Sequence, residues 1–171
     1  MKLKSIILTL VLAFFSTTVI NAQNCKYDHD KTDEFSGKIE RRIFEKYNFF
    51  FKFAFYRLGS DFRLESYVNI PGDQAFLIPE GSRLNLKLGD GSIMELTSIK
   101  NATPQSFVAS NQIYSGFAMT YPITKEQLKQ ISGVGIKFIR TYLKDDSYYD
   151  MDIKKKKIIK LKEHASCILA D

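Results

Sequence analysis

Two histidines, His29 and His164, are the only imidazoles in the chain, and they limit the catalysis that the sequence can offer. A nucleophilic hydrolase needs a base within hydrogen-bond reach of its nucleophile, and a zinc hydrolase needs closely spaced histidines. The sequence contains neither a Gly-x-Ser-x-Gly motif nor a His-Glu-x-x-His motif. We therefore predict no catalytic residue, no metal ligand and no cofactor, and the sequence favours a non-catalytic protein over an enzyme.

Four acidic residues cluster near the N-terminus of the chain, at positions 28, 30, 33 and 34. Clustered carboxylates are the ligands that calcium prefers, and an EF-hand loop places glycine sixth and glutamate twelfth. Counted from Asp28, Asp33 occupies the place of the glycine and Ile39 the place of the glutamate. The pattern fails, so we expect a solvated acidic segment.

Six lysines near the C-terminus are the most visible charge feature of the chain. They are Lys154, Lys155, Lys156, Lys157, Lys160 and Lys162. These residues are candidates for contact with an anionic surface, such as phospholipid head groups, an anionic glycan or an acidic partner. The alternative is a solvated helix face. The spacing favours this alternative, because four consecutive lysines cover most of a helical turn and cannot form one stripe.

The two cysteines, Cys25 and Cys167, are candidates for a disulfide. Exported proteins meet oxidising conditions, and the termini of a compact domain often lie close together. Two independent thiols are the alternative. A lipid anchor on Cys25 is a further alternative that the sequence disfavours, because Asn24 stands where lipoproteins have a small residue.

The first 22 residues have the pattern of a secretory signal peptide. Lys2 and Lys4 precede an uncharged apolar run over residues 5–20, and Ala22 supplies a small residue at the expected cleavage site. The run is too short for a confident membrane span, so we expect an exported chain, in the periplasm or outside the cell, without a transmembrane helix. Cleavage removes two of the 25 basic residues and none of the 19 acidic ones, which leaves a net charge of +4. This weak charge excludes a dedicated nucleic-acid binder.

Most of the chain alternates between apolar and polar residues, which is the pattern of half-buried strands. The clearest runs cover 49–56, 62–70, 84–88, 113–121 and 135–143. Asp90-Gly91 predicts a hairpin with a type I′ turn. Thr124 and Gln127 have the spacing of a capping box, so a short helix is expected to begin at about Lys125 and to end at Gly133 or Gly135.

About eight strands with regularly spaced turns predict a mainly β protein. The expected architecture is an antiparallel β-sandwich or a partly open barrel, with one short inserted helix and an amphipathic C-terminal helix over residues 152–169. Asp152 is the expected N-cap of that last helix. The predicted organisation is a signal peptide (1–22), a polar N-terminal arm (23–34) and a single β-rich domain (35–171).

One resemblance adds to this interpretation. The leader ending in Asn-Ala-Gln resembles those of exported Bacteroidetes proteins. Two segments are similar in their general pattern of residue types to small envelope proteins of that group. They are LNLKLGDGSIMELTSIK and YPITKEQLKQISGVGIKFIR. The resemblance implies an exported domain and brings no functional residue with it.

These observations favour a non-catalytic exported β-domain that binds a protein or a glycan at the cell envelope. Two alternatives stay open: an envelope or glycan hydrolase with an unrecognised site, and a membrane-surface protein that uses the lysine-rich C-terminal helix. The tyrosines expected at the surface suit sugar or protein contact. They are Tyr56, Tyr67, Tyr114, Tyr148 and Tyr149.

Overall fold

The computed structural model describes residues 25–170, which form ten strands and two helices. The strands are β1 (His29–Thr32), β2 (Ile39–Lys46), β3 (Phe51–Leu58), β4 (Asp61–Pro71), β5 (Arg83–Leu88), β6 (Ile93–Thr97), β7 (Gln105–Ala109), β8 (Gln112–Pro122), β9 (Ile136–Tyr142) and β10 (Tyr148–Asp152). The helices are α1 (Lys125–Val134) and α2 (Lys155–Leu169). The predicted mainly β class, with one inserted and one C-terminal helix, is confirmed. The predicted leader lies outside the described residues.

Six strands form the larger sheet, in the order β1-β2-β3-β4-β8-β7, and all neighbours are antiparallel. Its inner face is apolar because alternate residues of each strand point into the core. Phe51, Phe53 and Phe55 of β3 are fully buried, as the alternation predicts. Phe49 precedes the strand and is 37% exposed, so the aromatic run belongs only in part to the core.

The other four strands form a second antiparallel sheet in the order β10-β9-β5-β6. Leu84, Leu86 and Leu88 of β5 are fully buried. They belong to one hydrophobic core with the inner face of the larger sheet and with residues of both helices. The fold is therefore two antiparallel sheets, one of them curved as a half-barrel, around a common core.

The hairpin between β5 and β6 is present, but its turn differs from the predicted type I′ geometry. Asp90 does not have positive φ, whereas Gly91 has a φ of 92°. The Leu88 N–H donates to the carbonyl of Ser92 at 2.9 Å, so these two residues flank a three-residue loop in place of a two-residue one. Within this loop the Gly91 N–H donates to the carbonyl of Leu88 at 3.0 Å. The Asp90 carboxylate accepts a bond from the Ser92 N–H at 3.0 Å, which stabilises this alternative turn.

Helix α1 begins and ends as its sequence predicts. The side chain of Thr124 accepts a bond from the Gln127 N–H at 3.1 Å, and the side chain of Gln127 accepts one from the Thr124 N–H at 2.9 Å. This reciprocal pair is the capping box. Gly135, with a φ of 77°, follows the last helical residue.

The start of helix α2 is a correction to the prediction. Asp152 is the last residue of β10, where it pairs with Phe138, and it does not cap the helix. The backbone N–H of Ile153 still donates to the carbonyl of Lys137 at 2.9 Å. Strand pairing therefore extends past the expected cap, and the helix begins at Lys155 without a side-chain cap.

The segment expected as a polar arm is joined to the fold in three ways. Residues His29–Thr32 form the edge strand β1, which pairs with β2. Cys25 and Cys167 form a disulfide, with their Cα atoms 5.6 Å apart, so of the two alternatives that the sequence left open the structure has the bonded pair. The hydroxyl of Tyr27 also donates to the carbonyl of Cys167 at 2.8 Å. These contacts attach the N-terminal segment to helix α2.

Candidate functional site

A groove of about 570 Å³ lies on the outer face of the larger sheet, opposite the hydrophobic core. We call it the lysine groove. It is lined by Lys46, Phe49, Lys52, Tyr67, Asn69, Lys100, Asn101, Ala102, Thr103, Gln105, Phe107, Gly116, Phe117 and Ala118. Strands β2, β3 and β4 supply one wall, whereas β7 and the loop after β6 supply the other. Its volume falls within the range of about 300–1,000 Å³ that is typical of ligand sites.

Small residues of β8 form the floor of the groove. Gly116 lies opposite Asn69 of β4 and opposite Gln105 of β7, and Ala118 lies opposite Tyr67. A Cβ atom at position 116 would lie 3.2 Å from Oδ1 of Asn69 and 3.4 Å from the ring of Phe107. The glycine therefore lets the larger side chains of both neighbouring strands approach each other above the floor.

Three lysines give the groove a positive charge. Lys46 of β2 and Lys52 of β3 are directly opposed in the strand register, so their side chains lie on the same face of the sheet. Lys100 stands on the other wall, in a loop held by two backbone bonds between Ala102 and Ile78. In the described part of the chain, no carboxylate pairs with any of these three ammonium groups, and no acidic residue lines the groove.

Aromatic rings form one end of the groove. Phe49 lies 4.8 Å from Tyr114 and 6.2 Å from Phe107, measured between ring centroids. Phe49 and Phe107 are each 37% exposed, whereas Tyr114 is buried beneath them. The buried ring supports the two exposed rings, which present apolar faces beside the lysines.

Tyr67 is held in place by two charged neighbours. Its hydroxyl donates to Glu65 at 2.7 Å and accepts a bond from Arg42, which also pairs with Glu65. The Arg42 guanidinium lies 4.2 Å from the ring centroid of Phe44. Burial, together with the bond to Glu65, raises the pKa of Tyr67, so the phenol stays neutral. The charge of Arg42 is compensated by Glu65, which leaves the three lysines as the net charge of the groove.

A second cavity, of about 500 Å³, lies between the N-terminal segment and helix α2 beside the disulfide. His164 lines it, and burial lowers the pKa of this imidazole, so it is neutral at pH 7. A neutral histidine is a potential general base, but the nearby sulfur of Cys167 is bonded to Cys25. The cavity therefore lacks the cysteine nucleophile that such a base would activate.

The six C-terminal lysines occupy different environments. Lys157 forms an ion pair with the buried carboxylate of Glu45, and Lys160 lies 3.8 Å from the same carboxylate. Lys154, Lys155 and Lys156 are exposed at the start of helix α2, and Lys162 is half-buried, with its stem near Gly135. Part of this charge thus neutralises a buried acid, and the structure does not bring the six together as one surface.

The tyrosines expected at the surface also lie in different parts of the structure. Tyr67 lines the groove and Tyr114 supports it, whereas Tyr149 stacks on Phe51 of the core at 5.7 Å. Tyr148, 52% exposed, lies beneath Arg140 on the other sheet.

Within residues 25–170, no cluster of metal-ligating side chains is found, and no helix has the length and apolar character needed to cross a membrane.

The sequence did not predict the lysines and phenylalanines of the groove as a site, because they come from separate segments that only the strand register brings together. One signal was present: Lys52 interrupts the aromatic run and so marks the outer face of β3. Fold and groove together define the class of this protein, a two-sheet antiparallel β-domain with a cationic, aromatic-lined groove. No protein-family model, curated protein or solved structure matches the chain.

Proposed function

We propose that this protein is an exported, non-catalytic β-domain that binds an anionic glycan of the cell envelope in the lysine groove. The leader pattern of residues 1–22 and the disulfide between Cys25 and Cys167 support export, because disulfides persist in oxidising compartments. The sulfur of Cys25 is bonded to Cys167, so it is not available to carry a lipid.

The observation that carries the proposal is the opposed pair of Lys46 and Lys52. Like charges directly opposite each other on neighbouring strands destabilise a sheet. Among the described residues no carboxylate lies within 4.0 Å of either ammonium group, because Glu65, the acidic residue on the same face, pairs with Arg42. Lys100 adds a third positive charge across the groove. A ligand that carries carboxylate or sulfate groups removes this repulsion when it binds.

The remaining lining of the groove favours a sugar over a simple anion. Exposed rings of Phe49 and Phe107 present flat apolar faces, and the half-buried Tyr67 adds an apolar ring with a polar tip. Asn69, Asn101 and Gln105 contribute amides, which both donate and accept hydrogen bonds. Flat apolar faces beside polar groups and positive charges are complementary to the pyranose rings of an acidic polysaccharide.

The proposal is tested by calorimetric titration with two anionic probes, heparin and oligogalacturonate. Methyl-esterified oligogalacturonate, which lacks the charge, is the matched control ligand. We expect at least one anionic probe to bind, with an affinity that falls as salt is added. The double variant K52Q/K100Q should weaken that binding at least about tenfold.

The matched control protein is K154Q/K155Q, which removes the same charge from the exposed start of helix α2. It should bind like the unchanged protein. The proposal is wrong if neither anionic probe binds, or if the helix substitutions weaken binding as much as the groove substitutions do.

A further inference from the structure

Strand β7 lies at one edge of the larger sheet, where β8 is its only strand partner among residues 25–170. Edge strands present unpaired backbone groups that another strand can complete, and proteins commonly protect them with charged residues or proline. The sequence of β7, Gln-Ser-Phe-Val-Ala, contains neither. Each of the other three edge strands, β1, β6 and β10, carries at least one carboxylate.

The hairpin that joins β7 to β8 determines which backbone groups face the open edge. Ser110 and Asn111 both have positive φ, 49° and 61°, so they form a two-residue type I′ turn flanked by the pair Ala109 and Gln112. In such a hairpin the flanking pair is hydrogen-bonded, and the bonded pairs alternate from there. The N–H and C=O groups of Ser106 and Val108 therefore point away from β8.

Apolar side chains are exposed on both faces of this edge. Val108 is 71% exposed and lies opposite Ile113, which is 51% exposed. Phe107 lies on the other face, within the aromatic end of the lysine groove. Contiguous exposed apolar residues mark interaction sites, and here they surround a strand whose outer backbone groups bond to no other described residue.

We infer that β7 pairs in antiparallel orientation with β7 of a second copy of this chain, with Phe107 opposite Phe107 across a two-fold axis. In this register Ser106 of each copy lies opposite Val108 of the other, and those are the residues whose backbone groups face the edge. Each such pair exchanges both N–H···O bonds. The two Phe107 side chains meet at a non-hydrogen-bonded position, where opposed side chains are closest.

The charge of β7 favours a second copy as the occupant. A two-fold axis places a strand against itself, so any charged residue near the centre would meet a like charge. Residues Gln105–Ala109 carry no charge of their own, and the carboxylate that contacts them, Asp73, accepts a bond from the hydroxyl of Ser106. The interface is self-complementary in the way that a symmetric dimer requires.

The pairing has one consequence that rests on the proposed function. Phe107 lines the lysine groove, so two paired copies place their grooves side by side on one continuous sheet. A single polysaccharide chain then contacts both grooves, which increases its apparent affinity without any new contact. The contacts of the dimer involve no ligand, so its test is independent of glycan binding.

Sedimentation velocity of the purified protein, without ligand, tests the dimer. The interface is small, so we expect a reversible equilibrium whose average mass approaches two chains as the concentration rises from about 1 to about 200 µM. The substitution V108K should keep the protein monomeric over this range. The control I93K changes a similarly exposed residue, 68%, on edge strand β6 and should dimerise like the unchanged protein. A monomeric unchanged protein, or a V108K protein that still dimerises, overturns the inference.

A second pair of variants tests the register. Opposed residues at a non-hydrogen-bonded position have Cα atoms about 4.5 Å apart, within the range of a disulfide. Under mild oxidation F107C should therefore form a covalent dimer, whereas V108C, two positions out of register with its counterpart, should not. If V108C forms the covalent dimer and F107C does not, the proposed register is wrong. If the chain stays monomeric and β7 instead binds an extended peptide, the partner of β7 is not a second copy of this chain.

Discussion

Lys46 and Lys52 show how a pair of residues can be unfavourable for the fold and useful for binding. Their register places two ammonium groups on the same face of neighbouring strands. Glu45, beside Lys46 in the chain, points to the opposite face, where it is buried and pairs with Lys157. The alternation of the strand thus separates the Glu45 carboxylate from the two lysines, and Glu65, which is on their face, pairs with Arg42.

This arrangement predicts opposite effects on stability and on binding. The substitution K52E replaces a repulsive cross-strand pair by an attractive one, so we expect the free energy of unfolding to rise by about 0.2–1 kcal/mol. The same change should abolish binding of the anionic probes. Urea denaturation measures the first effect and calorimetric titration the second.

The neutral variant K52Q is the control and should fall between the two proteins in stability. Because the effect is electrostatic, added salt should reduce the difference between the unchanged protein and K52E. A K52E protein that is less stable than the unchanged protein would contradict the repulsion.

At the scale of elements, the contact between the β5–β6 hairpin and the end of helix α1 depends on Gly89. The Gly89 N–H donates to the carbonyl of Gly135 at 3.0 Å. A Cβ atom at position 89 would lie 1.9 Å from the carbonyl oxygen of Val134, which is backbone and cannot rotate away. The hairpin and the helix end therefore approach each other at a distance that only glycine permits.

We predict that G89A lowers the free energy of unfolding by about 1–3 kcal/mol, because the hairpin and helix α1 must move apart. Gly133 is the matched control. It lies inside helix α1, and within residues 25–170 an added Cβ would meet no atom within 4 Å apart from its chain neighbours and the adjacent backbone of the helix itself. G133A should therefore stabilise the protein by about 0.5–1 kcal/mol. Equal effects of the two substitutions in thermal or urea unfolding would contradict the close approach.

Local signals predicted some elements well and left others out. The capping box at Thr124 and Gln127 identified helix α1, because its hydrogen bonds join residues three apart. Strands β1 and β7 are polar or exposed along most of their length, so no alternation marked them. The cap expected at Asp152 failed because strand pairing with β9, a contact distant in sequence, extends to that residue.

The lysine groove could not be predicted from the sequence because it too depends on contacts between residues distant in the chain. Its residues come from five strands, from the turn between β2 and β3 and from the loop after β6, and no one of these segments identifies the site by itself. Only the register, which opposes Lys46 to Lys52 and Asn69 to Gly116, turns them into one site. The disulfide was easier to identify as a candidate, because a chain with two cysteines can form only one internal pair.

At the scale of the whole molecule, the disulfide closes a loop of 142 residues that contains both sheets. In the chain-entropy model, closing so long a loop contributes about 4–5 kcal/mol by restricting the unfolded chain. This is a large share of the about 5–15 kcal/mol by which most domains are stable.

We therefore predict that the double variant C25S/C167S loses about 4–5 kcal/mol of unfolding free energy in urea denaturation. Reduction of the unchanged protein should produce the same loss, which separates the effect of the bond from that of the serines. Amide exchange should accelerate most in β1, because the bond and Tyr27 attach this strand to helix α2. A loss below about 1 kcal/mol would show that the contacts of the N-terminal segment suffice without the bond.

The position of this bond also decides how the molecule responds to a pulling force. A load applied before Cys25 and after Cys167 passes directly through the two bonded sulfurs, since their Cα atoms are 5.6 Å apart. The intervening chain, with both sheets and the lysine groove, carries none of the tension. With the disulfide formed, the domain is a short link that does not extend, and its binding surface stays intact under load. With the disulfide reduced, the strands themselves must carry the force.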